Sequence, residues 1–72
     1  MFQPFVLRNK STGKKQVIRT APNYARDKAT SELHRMFNTL SVTNTPFDNK
    51  GVSNFEVTTR SGRRHQFELI SV

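Results

Sequence analysis

The sequence predicts an α+β domain with the element order ββαββ, in which one helix packs on one face of a twisted antiparallel sheet. Two pairs of β-prone segments, each pair joined by a turn-rich stretch, predict two hairpins. Between the hairpins, apolar residues recur every three or four positions, which is the spacing of a helix with one buried face. A chain of 72 residues is expected to form a single domain, residues 1–72.

The first hairpin is predicted from two short extended runs that flank the turn formers of residues 9–13. Pairing Leu7 with Val17 sets Val6 opposite Ile18. Residues that face each other across a hairpin share a face of the sheet, and this register is consistent on both faces. We therefore predict these pairs.

The helix is predicted to begin near Pro22, which suits a first helical turn, with Asn23 as its N-cap. A helix that packs on a sheet needs one apolar stripe. The residues that form this stripe are Ala25, Ala29, Leu33, Met36, Phe37 and Leu40.

Residues 41–51 are polar and rich in turn formers, which predicts a loop. Within it, Phe47 is favoured as an anchor over the core rather than as a contact for a partner. Beyond the loop, residues 54–59 and 65–69 alternate between apolar and polar side chains. They predict the second hairpin.

An odd-length loop in the second hairpin pairs Val57 with Phe67 and keeps the apolar side chains on one face. The same register sets Glu56 opposite Glu68 on the face away from the helix, where like charges are destabilising. Arg8 is expected to compensate them if the two hairpins adjoin. The alternative is a cationic group supplied by a partner.

The composition is strongly basic, with 12 Lys and Arg against five Asp and Glu, a net charge of +7 and a pI near 11.0. Such a charge favours nucleic acid, a ribonucleoprotein, an acidic protein or an anionic membrane surface as partner. The chain has no cysteine and two histidines, and no apolar run reaches the ~18 residues of a membrane span. We therefore expect no cofactor, no membrane partner and a cytoplasmic location, which is the host cytoplasm if the protein is viral.

Candidate binding residues cluster at the two hairpin tips and at the helix start. An arginine in a tight turn offers phosphate a planar fork of donors, and an exposed aromatic among cations can stack on a base. The alternative is that the cations only keep the turns and the helix solvated, and that the Tyr24 ring packs over the Lys28 stem or onto the preceding hairpin. The candidates are Arg60, Arg63 and Arg64 at the second tip, Lys14 and Lys15 beside Lys10 at the first, and Arg26, Lys28 and Tyr24 at the helix start.

The topology predicts how these groups are placed. If residues 41–51 stay at one end of the sheet, the arginine tip lies beside the helix start, and the lysine tip lies at the opposite end with Lys50. The positive charge is then divided between two poles. If residues 41–51 cross back along the sheet, this division does not hold.

In the middle of the chain, a strand ending in residues 17–21 is followed by a helix with Asn23, Ala25, Asp27, Ala29 and Leu33. This order resembles the strand-then-helix opening of several small domains. Among them are arm-site DNA-binding domains of phage integrases and compact phage-encoded inhibitors of host enzymes. The resemblance covers a minor part of the chain, and no functional residue is carried over from it.

The sequence therefore favours a non-enzymatic basic module that contacts nucleic acid or a ribonucleoprotein through phosphates. The alternative is a small regulatory protein, for example a phage-encoded one, that binds an acidic surface of a host enzyme or nucleoprotein complex and inhibits or redirects it. No catalytic motif can be picked out, so an enzyme is not expected. Sheet edges and apolar residues predicted on the uncovered face could support a homodimer; these residues are Val6, Ile18, Ile70 and Val72.

Overall fold

The computed structural model describes residues 2–72, which form five strands and one α-helix. All neighbouring strands are antiparallel, in the order β2-β1-β5-β4-β3. The predicted class is confirmed, and the strand count is five rather than four. The elements are β1 (Gln3–Asn9), β2 (Lys15–Thr20), a 3-10 turn (Pro22–Tyr24), α1 (Ala25–Met36), β3 (Thr39–Asn44), β4 (Val52–Thr59) and β5 (Arg64–Ser71).

Strand β3 occupies the first part of the segment that was predicted to be a loop, and that prediction is wrong there. Of its side chains, Val42 packs against the core, while Leu40 is exposed at the sheet edge. A bulge between Thr39 and Ser41 further breaks the alternation. Strand β3 is held in place by its pairing with β4 and not by burial of its own side chains. Because it buries so few of them, its sequence shows almost no alternation of apolar and polar residues.

Strand β3 also decides where the hairpin turns lie. Strands β1 and β4 each run antiparallel to β5 and therefore point the same way. The β1–β2 and β4–β5 turns thus lie at one end of the sheet, and the helix also ends there, since Arg60 N donates to Asn38 O at 3.0 Å. The chain crosses back along β3, so the predicted placement of the arginine tip beside the helix start is wrong.

The N-terminal part of α1 matches the predicted stripe: Ala25, Ala29 and Leu33 are fully buried against the sheet. The predicted cap is wrong. Asn23 lies within the 3-10 turn, and Tyr24 takes the N-cap position without a side-chain capping bond. Small residues at the first two buried positions allow the helix to approach the sheet closely.

The C-terminal part of the predicted stripe does not form, because the helix ends at Met36. Phe37 turns to extended backbone and stacks on His65, with ring centroids 4.5 Å apart, and meets Phe67 edge-on at 5.8 Å. Phe37 is thereby half-buried against the margin of the core. Met36, the last residue of the helix, is 47% exposed, and Leu40, which lies in β3, is 64% exposed.

The first hairpin is one residue out of the predicted register. Val6 pairs with Val17 and Phe5 pairs with Ile18. Gly13, at φ 77°, closes a four-residue turn, and this turn length sets the pairing. Ile18 is consequently in the core and not on the uncovered face, whereas Val17 is exposed on that face.

The second hairpin has the predicted odd-length loop, but the loop begins at Arg60, one residue earlier than expected. Phe55 pairs with Phe67 and Val57 with His65. The register is displaced by two residues, and a two-residue shift preserves the face of every side chain. The apolar face was therefore predicted correctly although the individual pairs were not.

The two glutamates of the uncovered face do not oppose each other. Glu56 accepts a hydrogen bond from Gln66 Nε2 at 2.6 Å. Glu68 accepts one from Arg8 Nε at 2.6 Å and is ion-paired with the same guanidinium. The predicted repulsion is wrong, and the predicted compensation by Arg8 is confirmed for Glu68.

The core lies between α1 and the sheet. Phe47 packs at its margin with its ring centroid 5.9 Å from that of Phe5, which confirms its role as an anchor of the loop. None of the helices in residues 2–72 has the length and apolar character that crossing a membrane requires. The buried apolar residues are Phe5, Leu7, Ile18, Ala25, Ala29, Leu33, Phe55, Val57, Phe67 and Leu69.

Candidate functional site

The structure brings the two basic hairpin tips to the same end of the sheet, which we call the hairpin end. Strands β1 and β5 are neighbours, and Lys10 N donates to Gln66 O at 2.9 Å where the two hairpins meet. With strands ~4.8 Å apart, the axes of adjacent hairpins are about 10 Å apart. The cations of the hairpin end are Lys10, Lys14 and Lys15 of the lysine tip and Arg60, Arg63 and Arg64 of the arginine tip; all six are exposed.

The arginine tip is a tight loop held by Thr59, which is buried. Thr59 O accepts from Gly62 N at 3.0 Å, and Thr59 N donates to Arg63 O at 2.8 Å. Its Oγ1 accepts from Arg63 N at 3.1 Å and lies 2.8 Å from Ser61 Oγ. Gly62 has φ 90°, which other residues rarely adopt. These bonds fix the backbone from which the three guanidinium groups project.

The lysine tip is held in a similar way by Asn9. Its Oδ1 accepts from Ser11 N at 2.8 Å and from Thr12 N at 3.2 Å. Thr12 Oγ1 in turn accepts from Lys14 N at 3.2 Å. Asparagine side chains favour such turns because they substitute for a backbone acceptor. Both tips therefore present their cations from ordered turns.

The cations of the hairpin end are not neutralised by ion pairs within residues 2–72. The ion pairs of that part of the chain join Arg8 to Glu68 and Arg35 to Glu32. The hydrogen bond from Arg35 is the main cause that lowers the pKa of Glu32, so this carboxylate stays charged and its charge is offset locally. The positive field of the hairpin end therefore faces solvent.

The remaining carboxylates lie away from the two basic tips. Asp48 Oδ1 accepts from Val52 N at 3.0 Å and Lys50 N at 2.9 Å, and these backbone bonds lower the pKa of Asp48. Asp27 lies in the first turn of α1, and Glu56 accepts from Gln66. The acidic groups thus support turns, the helix start and the sheet face, not the two basic tips.

The helix-start candidates lie at the opposite end of the sheet from the hairpin end. Arg26 donates to Asn44 Oδ1 from Nε at 2.8 Å and from Nη2 at 2.6 Å, so it fastens α1 to β3. Lys28 and Tyr24 are exposed, Tyr24 by 61%. The structure therefore does not bring these three residues together with the arginine tip. Binding by Lys28 or Tyr24 stays a prediction.

Sequence reasoning missed that the lysine tip and the arginine tip share one end. The deciding element is β3, whose weak alternation in TLSVTN was the available signal. It also missed the exposure of Met36, because the apolar spacing assigned Met36 to the buried stripe of the helix. Both errors concern where residues lie in the fold, and neither concerns which residues are the candidate cations.

No group of three or more His, Asp or Glu that could hold a metal ion occurs among the residues that the structure describes. Comparison of the chain with models of known families, with curated proteins and with solved structures found no match. Function is therefore inferred from geometry and charge.

Substituting Thr59 by valine should lower the free energy of unfolding by about 1 kcal/mol, because valine keeps the shape but removes the hydroxyl that holds the Arg63 amide. Urea denaturation followed by circular dichroism measures this difference. Thr58→Val is the matched control, since Thr58 lies next to it on the uncovered face. Equal denaturation midpoints for the two variants would contradict the role given to Thr59.

Proposed function

We propose that this protein is a non-enzymatic module that binds nucleic acid by holding phosphates at the hairpin end. The observation that supports the proposal is the gathering of six exposed cations on two adjacent turns, with no ion pair to any of them in residues 2–72. A basic surface that its own chain leaves unneutralised is suited to an external polyanion.

The two tips offer phosphate different chemistry. The arginine tip provides planar guanidinium forks that can donate two hydrogen bonds to one phosphate. The lysine tip provides ammonium groups, which act as point charges. Lys10 Nζ donates to Asn54 Oδ1 at 3.0 Å. The exposed Lys14 and Lys15 extend the basic surface beyond Lys10. Because both backbones are fixed by turn bonds, little backbone conformational entropy is lost when the phosphates bind, and the entropy cost is confined to the side chains.

The proposed surface shares the arginine tip with the surface expected from the sequence, but the residues that accompany this tip are different. The arginine tip is retained, and the lysine tip takes the place of Arg26 and Lys28. Arg26 already donates hydrogen bonds to Asn44 within the fold. Lys28 lies at the far end of the sheet and cannot reach the same phosphates as the arginine tip.

Binding to an oligonucleotide should weaken steeply as salt is added, because each phosphate contact releases counterions. With up to six contacts on a single strand, the slope of log K against log salt should approach about −4, a loss on the order of 100-fold between about 50 and 200 mM salt. Fluorescence anisotropy with labelled DNA and RNA measures this slope. A slope near zero would overturn the proposal.

The competing function, binding to an acidic protein surface, predicts a different result in a pull-down. Nuclease treatment should remove the partner if the hairpin end holds nucleic acid. Recovery of one stoichiometric protein that survives nuclease would favour the regulatory-protein hypothesis instead.

A further inference from the structure

A cleft of about 180 Å³ opens at the hairpin end, between the last turn of α1 and the first hairpin. It lies beside the lysine tip, so a ligand in the cleft would be within reach of the ammonium group of Lys14. Lys15 pairs with Arg8 and therefore projects to the uncovered face of the sheet. The fold itself makes no use of this space. The lining residues are Leu7, Asn9, Lys14, Lys15, Gln16, Met36 and Phe67.

The apolar part of the cleft is made of Leu7, Phe67 and Met36. Leu7 and Phe67 belong to the core and hold this part in place. Met36 is different, because it is 47% exposed at the end of the helix. A thioether is polarizable and makes favourable contacts with aromatic rings. The cleft is therefore suited to a flat aromatic group placed against Met36.

The polar part of the cleft is cationic. Lys14 is exposed and is not ion-paired within the described chain. Gln16 is held by its bond from Nε2 to Glu32 Oε1 at 3.4 Å, and Glu32 is ion-paired with Arg35. The local carboxylate charge is thus offset, and an anionic group attached to the aromatic ring would meet positive charge.

The size of the cleft limits the ligand. Pockets for drug-sized molecules are about 300–1,000 Å³, so this cleft suits one ring system and not a larger ligand. A base within a duplex is paired and stacked, and flipping it out costs a few kcal/mol. Bases of a single strand are already free to splay out and lie against side chains.

We infer that the cleft takes one unpaired nucleobase of a single strand, which lies against Met36 while a neighbouring phosphate contacts Lys14. The inference rests on the proposed function and narrows it from nucleic acid in general to single-stranded DNA or RNA. Base contact in the cleft and phosphate contact at both tips would then act together along one strand.

The decisive comparison uses the unaltered protein and two oligonucleotides with the same number of phosphates, one with bases and one abasic. Anisotropy at constant salt should show that the base-containing strand binds about 2- to 10-fold more tightly, since a contact between a thioether and an aromatic ring contributes about 0.3–1.5 kcal/mol. Separate DNA and RNA arms show which sugar is accepted. A preference in either arm supports the inference.

Met36→Ala should abolish the preference for the base-containing strand and leave affinity for the abasic strand unchanged. Leu40→Ala is the matched control: Leu40 is also apolar and exposed near the end of the helix, but it does not line the cleft. The control should retain the preference.

The outcomes distinguish a failure of the base site from a failure of the proposed phosphate binding at the hairpin end. Equal affinity of the unaltered protein for the abasic and base-containing strands overturns the base site but leaves phosphate binding intact. Failure of all oligonucleotides to bind in a salt-dependent way overturns the proposed function and the base site together. Because the abasic comparison needs no variant, it stands even if Met36→Ala is poorly folded.

Discussion

Phe55→Ala should lower the free energy of unfolding by about 3–5 kcal/mol, which is a large part of the total, and move the denaturation midpoint to a much lower urea concentration. Phe55 is 1% exposed, and it pairs with Phe67 across the β4–β5 hairpin. Truncating a buried phenylalanine costs about 3–5 kcal/mol. A domain of this size has a total stability of only about 4–11 kcal/mol, at 0.05–0.15 kcal/mol per residue.

The effect is large because the core has no covalent support. The chain has no cysteine, and a domain this small buries only about 60% of its unfolded surface. Urea denaturation followed by circular dichroism provides the measurement. Phe2→Ala is the control, because Phe2 is 72% exposed and its loss should change stability little. If both variants unfold at the midpoint of the unaltered protein, Phe55 is not part of the core.

Replacing Arg60, Arg63 and Arg64 together by glutamine should weaken oligonucleotide binding on the order of 100-fold at low salt and make the salt slope shallower by about 2, since each lost phosphate contact removes about 0.7 from the slope. Glutamine keeps much of the side-chain length but not the charge. None of the three arginines is ion-paired within the described chain, so the fold should be retained.

A charge-matched variant tests whether position or net charge is responsible. Changing Arg19, Lys28 and Lys50 to glutamine also removes three positive charges, but from exposed positions away from the hairpin end. This variant should keep most of the affinity and most of the salt slope. Arg26 is left unchanged because it holds Asn44. Equal losses in the two variants would show that the hairpin end has no special role.

Several features could be predicted from the sequence because they depend on local pattern. The buried stripe of Ala25, Ala29 and Leu33 follows from helical spacing. The inward face of the second hairpin follows from alternation, although the pairs are displaced by two residues. The contact of Arg8 with Glu68 followed once the two hairpins were assumed to adjoin.

Other features could not be predicted because distant parts of the chain decide them. The helix ends early because Phe37 gains a place against His65 and Phe67, which the local spacing does not reveal. The register of the first hairpin depends on a four-residue turn closed by Gly13, and the alternation is compatible with more than one turn length.

Composition and short-range periodicity are enough to predict the class of the fold, the buried residues in the N-terminal part of the helix and the identity of the cations. The tertiary structure alone decided which cations lie together. Strand β3 is held by its pairing with β4 and shows little alternation of its own, yet it returns the chain to the far end of the sheet. Because β4 pairs antiparallel with β3, it runs back toward the hairpin end and carries the arginine tip there. The lysine and arginine tips therefore lie side by side, and this depends on pairing between segments that are distant in the sequence.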